Sequence, residues 1–171
     1  VFNSDFFKES RFQKVKSPAE LVVGTAILAG RHQTSYEFGL TMMATATKNM
    51  GQDLLNPPTV EGWHTGKEWI DSGTLVERVN YMAGEMGRIR APGIQSIIQR
   101  LGSNGSGVSA EALVDGCLEM LGGYELTPDT RAMLVDHTGT GDKMGANPEK
   151  FGERVGQMLQ LIVSTQEYQF T

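Results

Sequence analysis

Apolar residues recur at helical spacing along most of the chain, and the stretches between these runs are short and rich in glycine and proline. The first clear helix start is Ser17-Pro18-Ala19-Glu20. Ser17 is placed to cap, Pro18 suits the first helical position where no amide donor is needed, and Glu20 completes a capping box. Leu21, Val22, Val23, Ala26, Ile27 and Leu28 then form a broad apolar face, which predicts a well-buried helix ending between Gly30 and His32. A second helix from about Ser35 carries Phe38, Met42, Met43, Ala46 and Met50 and stops at Gly51. A third, over 72–86, is predicted to turn Leu75, Val76, Val79 and Met82 inward, with Glu77 and Arg78 outside. Ile94 to Leu101 predicts a short helix, and the GSNGSG run at 102–107 a turn. Ser109 then caps a helix with Leu113, Val114, Cys117, Leu118 and Leu121 inward, ended by Gly122-Gly123. Thr127-Pro128-Asp129 and Asn147-Pro148-Glu149 start the last two, the second burying Phe151, Val155, Met158, Leu159 and Ile162. Strand patterns are hardly represented. The expected fold class is all-α, an irregular multi-helix bundle of about six to eight helices.

One segment breaks the pattern. From Leu54 to Asp71, LLNPPTVEGWHTGKEWID, the prolines and glycines stand too close for a useful helix. Trp63 and Trp69, the only tryptophans in the chain, predict that this loop is ordered, because such large apolar surfaces bury against something. The bland reading is a structural plug. The functional reading is a binding surface formed by Trp63, Trp69 and His64, since aromatic side chains on a rigid loop suit apolar or sugar-like ligands and protein partners. His64 also has Glu61, Glu68 and Asp71 close in sequence, a setting compatible with proton transfer. His64 and Glu61, with Arg78 on the following helix, are therefore the candidate catalytic residues.

With 39% hydrophobic and 20% charged residues, 171 residues suffice for one folded domain, 1–171, that buries a core without disulfides or metals. A formal charge of −5 leaves no footprint for phosphate backbones, so nucleic acid is not an expected partner. The cluster Lys8, Arg11, Lys14 and Lys16 reads as a solvated face. His32, His64 and His137 lack the short spacing of metal ligands, and neither a metal nor a cofactor is expected. GSNGSG lacks the lysine of a phosphate-binding loop, the 136–142 turn lacks a calcium loop's closing glutamate, and no serine stands in a nucleophile elbow. Cys117 has the setting of a small buried apolar side chain. No apolar run reaches membrane-spanning length. Opening on Val1 without an initiator methionine, the chain reads as a fragment of a longer protein.

Several stretches together resemble a known bacterial family. Met50 to Trp63 contains a Gly-Gln and a Pro-Pro-x-Val-x-Gly-Trp; Trp69 follows, and Leu75, Arg78 and Asn80 form a Leu-x-x-Arg-x-Asn. Val15 to Leu21, preceded by Ser4-Asp5-Phe6-Phe7, is a second stretch, and Leu161 to Phe170 with its Ser-x-x-Glu-Tyr-Gln is a third. These resemble the proteins grouped as domain of unknown function 1800, whereas 88–150 match less clearly. The resemblance implies the C-terminal part of a longer helical protein that is exported to the periplasm or outside the cell. It supplies no activity. The expected function is thus a non-catalytic helical domain with a binding or assembly role, its partner a protein or a cell-envelope polymer. The alternative is a hydrolase-like enzyme whose site around His64 is completed by a preceding region.

Overall fold

Eight α-helices and three single 3-10 turns account for most of the residues described by the computed structural model, which are 2–10, 12–33, 36–102, 108–138 and 148–170. Arg11, the Phe38 side chain, most of the GSNGSG turn, residues 139–142 and the Asn147 helix start lie outside them. The all-α class is as expected: apart from two isolated bridges, the described residues form no β-structure.

α1 (Asp5–Glu9) is a short exposed turn of helix capped by Ser4. α2 (Pro18–Leu28) begins as its sequence requires. Ser17 Oγ accepts from the Glu20 amide at 3.3 Å, and Glu20 Oε2 accepts from the Ser17 amide at 2.7 Å, an arrangement that stabilises by about 1 kcal/mol. α3 (Tyr36–Asn49) stops where Gly51 takes a φ of +94° and the Gln52 amide reaches back to the Thr47 carbonyl at 2.8 Å. The same Gln52 turns its side-chain oxygen onto the Ala19 amide at 2.8 Å, so one residue ends α3 and completes the start of α2.

α4 (Ser72–Met86), α5 (Pro92–Gly102), α6 (Ala110–Leu121), α7 (Pro128–His137) and α8 (Pro148–Val163) follow. α8 packs against α4, α5, α6 and α7, and α2 packs against α3, α4 and α5. The core gathers Leu21, Val22, Met82, Met86, Ile94, Leu113, Val155, Met158, Leu159 and Ile162. The inward residues expected of α6 and α8 are all buried. α2 and α5 meet at backbone distance. The Gly93 amide donates to the Ala29 carbonyl at 3.2 Å, and a β-carbon on Gly93 would collide with the Leu28 carbonyl.

Four expectations need correction, the first being the face of α2, which buries Leu21, Val22 and Ala26 but leaves Val23 and Ile27 exposed. α4 does not bury Leu75 and Val76, which are exposed; it buries Arg78, Met82, Glu85 and Met86. Those four lie on one face at the helical period, so the true inward stripe carries two charges that hydrophobicity places outside. α3 leaves Met42 exposed and buries Thr47 with Met50. Finally, Lys16 is no part of a solvated face: only 9% of it is exposed.

Candidate functional site

The loop over 54–71 is ordered by its own hydrogen bonds. Trp63 Nε1 donates to the Asp53 carbonyl at 3.1 Å, Thr59 and Gly62 pair across a tight turn, and Gly62 takes a φ of +105° that favours glycine. Trp69 is buried to 6% exposure, while Trp63 is half-buried. Asp71 then caps α4, accepting from the Gly73 and Thr74 amides at 2.7 and 2.9 Å. Those two bonds hold its carboxyl below the usual range. The loop is thereby fastened to the start of α4.

His64 sits on the outside of this loop, its side chain 61% exposed, with Nδ1 3.5 Å from Glu68 Oε2. The same Glu68 oxygen accepts from the Thr65 amide at 3.3 Å, so the carboxylate is occupied in closing a turn. Glu61 is exposed as well. Arg78 lies elsewhere, fully buried. Its Nε donates to Gln169 Oε1 at 2.9 Å and its Nη2 to the Lys16 carbonyl at 2.6 Å. The structure brings His64 together with Glu68, but not with Arg78, and His64 lines none of the clefts described below.

Around Arg78 lies a closed polar interior that sequence reasoning missed. Lys16 Nζ donates to Tyr124 Oη and to the Tyr168 carbonyl, both at 2.7 Å, and stands 3.7 Å from the centre of the Tyr168 ring. The Lys16 amide donates to the Gln169 carbonyl at 2.9 Å, and Val15 bridges Phe170, so the segment before α2 and the one after α8 close over Arg78 together. Neither cation has an ion pair among the described residues. Burial, reinforced by the Arg78 charge, brings the Lys16 ammonium down to about 8, and burial alone lowers Arg78 to about 10. Cys117 is inert by the same physics: its thiol is buried and pushed up to about 12.

The open concavity is between α3 and α4. A cleft of about 470 Å³ has Met43, Met50 and Tyr81 among its walls and Thr41, Thr45, Asn49 and Asn80 at its polar positions. Two helical glycines, Gly39 near the start of α3 and Gly84 in the last turn of α4, line it, and a β-carbon added to either would meet nothing within 4 Å. Glycine inside a helix costs about 0.5–1 kcal/mol relative to alanine, and here no packing among the described residues calls for it. At one end Arg31 and Glu85 form a two-pronged pair, Nε to Oε2 at 2.7 Å, with side-chain exposures of 21% and 6%. Hydrogen bonding to Glu85 raises the Arg31 guanidinium further. Tyr81 is pushed up to about 12, first by burial and then by the Glu85 charge.

Arg31 and Arg88 also line a second cleft of about 520 Å³, together with Arg90, Gly30, Ile89 and Pro92. A third and smaller one of about 180 Å³ is apolar and is bounded by Val23, Ile27, Leu40 and Met43 together with Arg31. One sequence signal existed for this region, the Arg-Ile-Arg run at 88–90, but its third member, Arg31, arrives from another helix end. Among the described residues no group of histidine, cysteine and carboxylate side chains could hold a metal. No described helix is long and apolar enough to cross a membrane.

No curated protein and no solved structure matches the chain. The family model described as protein of unknown function DUF1800 matches residues 1–170, essentially the whole length, and the chain belongs to that family.

Proposed function

We propose that the chain is one exported, non-catalytic helical binding domain whose site is the cleft between α3 and α4. The observation that carries this reading is the pair Gly39 and Gly84, which hold open a concavity that alanine at either position would begin to fill at no steric cost. A cleft of this volume with apolar walls and a few polar groups has the general form of a small-ligand site. Methionine side chains in its wall can repack around ligands of different shape. Of the charges that line it, Arg31 and Glu85 are committed to each other, and among the described residues no nucleophile and base stand paired beside them. Under this reading the Trp63 loop is a brace, holding the start of α4 in position through Trp69 and Asp71.

The test is binding of a neutral, environment-sensitive apolar dye such as Nile red. Wild-type protein is expected to shift and enhance its fluorescence, and Gly84→Leu, which fills the cleft, to abolish the response while folding normally by circular dichroism. A response unchanged in Gly84→Leu would place dye binding elsewhere and end this reading.

A further inference from the structure

Resting on the reading of the α3–α4 cleft as a binding site, its two unlike ends narrow the class of ligand. The two helices run antiparallel. Arg31, shortly before α3, pairs with Glu85 in the last turn of α4, whereas a β-carbon on Gly51, just after α3, would touch the Trp69 and Thr74 side chains at the start of α4. One end of the cleft therefore holds Arg31, Gly39 and Glu85, and the other holds Asn49, Glu77 and Asn80. Between them Ala46, Met43 and Gly39 follow Asn49 along α3 at helical spacing, all lining the cleft. On α4, Gly84 stands about 10 Å from Glu77 at the usual rise per residue.

The second end offers polar groups with no partner inside the chain. Glu77, Asn49 and Asn80 are exposed, and none makes a side-chain hydrogen bond or ion pair among the described residues. Lys48, beside Asn49, does not line the cleft and pairs with Asp53 at 3.0 Å instead. A carboxylate only accepts hydrogen bonds, and each carboxamide adds a carbonyl acceptor. A primary ammonium matches this set: its charge balances Glu77, and its three N–H donors answer three acceptor groups. At the open mouth such a head keeps part of its water, so pairing with Glu77 avoids the cost of full burial. An alkyl chain attached to it then removes apolar surface from water along Ala46 and Met43.

We propose that the site takes a primary alkylamine in its ammonium form, its head bound by Glu77, Asn49 and Asn80 and its chain lying along Ala46 and Met43 towards Gly84. The probes are octylammonium, octyltrimethylammonium and octanol, each titrated below its aggregation or solubility limit into the whole chain at neutral pH by calorimetry. Octylammonium is expected to bind at least tenfold more tightly than either of the other two. Glu77→Gln, at an exposed position, is expected to fold normally by circular dichroism and to reduce octylammonium to the affinity of octanol. Gly84→Leu is expected to abolish octylammonium binding together with the Nile red response.

Equal binding of octylammonium and octanol to wild type would overturn the ammonium inference and leave the apolar cleft standing. Octyltrimethylammonium binding as tightly as octylammonium would show attraction of charge without N–H recognition, and would overturn it too. A preference for octylammonium that persists in Glu77→Gln would place the head elsewhere, with the same consequence. Absence of a Nile red response in wild type itself would remove the cleft reading on which the proposal rests.

Discussion

Arg78 Nη2 donates to the carbonyl oxygen of Lys16 at 2.6 Å, so two cationic side chains share one closed interior without an ion pair to any described residue. Burying charge without a counter-charge is costly unless hydrogen bonds satisfy it. Here Gln169, Tyr124 and the backbone carbonyls of residues 16 and 168 supply most of those bonds, while Arg78 Nη1 and Gln169 Nε2 are buried without a partner among the described residues. The arrangement ties the segment before α2, the middle of α4 and the segment after α8 into one unit, and it makes stability the property most sensitive to these residues.

Replacing Arg78 by alanine is expected to destabilise the fold by about 3–5 kcal/mol, because Gln169 and the Lys16 carbonyl lose their partner inside the protein. Lysine should not rescue it, since an ammonium cannot span both acceptors as the planar guanidinium does. Urea denaturation of the two variants checks this; an Arg78→Lys midpoint equal to wild type would contradict it.

The lowered Lys16 pKa gives a pH signature. In the folded state the ammonium releases its proton near 8, while the unfolded chain keeps it to about 10.5. Between these values the unfolded state binds more protons, so this group's contribution to stability rises with pH from about 8 to about 10.5. Cys117 acts oppositely: with its thiol pushed from 9.0 to about 12, its contribution falls as pH climbs above 9. The Lys16 effect is therefore read as the difference between wild type and Lys16→Met, which should shift steadily in favour of wild type over that window. A difference independent of pH would show that Lys16 is solvated.

The two tryptophans should behave differently. Trp69→Ala empties a buried site and is expected to cost about 3–5 kcal/mol. Trp63, half-buried and held through one indole bond to the Asp53 carbonyl, should cost about 1–2 kcal/mol. His64→Ala, at an exposed position, should stay within about 0.5 kcal/mol of wild type. Thermal melts of the three variants suffice, and a large loss for His64→Ala would mean that its contact with Glu68 closes the loop.

Glycine has opposite meanings at two positions. Gly84→Ala adds a methyl group to open space in the last turn of α4 and is expected to stabilise by about 0.5 kcal/mol. Gly93→Ala pushes a methyl group into the backbone at the end of α2 and is expected to destabilise by about 1–3 kcal/mol. The comparison needs only two melting curves; a destabilised Gly84→Ala would mean that the cleft is closed in solution.

What could be read directly from residue order was local. The Ser17–Glu20 capping box, the Ser109 and Thr127 caps and the glycine stop after α6 all depend on residues within a few positions of one another, and all stand where the pattern places them. The Gly51-Gln52 pair was legible as a helix stop but only half understood, since the Gln52 side chain reaches the Ala19 amide on another helix. Arg78 was misread outright. A charged residue beside Leu75, Val76 and Val79 looks like the solvent side of an amphipathic helix, and its interior place depends on Gln169, 91 residues away. The candidate site around His64 rested on proximity in sequence, whereas the cleft depends on Gly39 and Gly84 lining one space from two helices and on Arg31 meeting Glu85 across 54 residues.

By itself the sequence determined that the chain is helical, where most of its helices begin and end, and which faces of α6 and α8 turn inward, because capping, backbone freedom and hydrophobic period act over one or two turns. Only the tertiary structure decided which charges are interior and where a cavity lies. Both are properties of the space between helices, set by which distant side chains supply the missing hydrogen bonds and which positions leave that space unfilled.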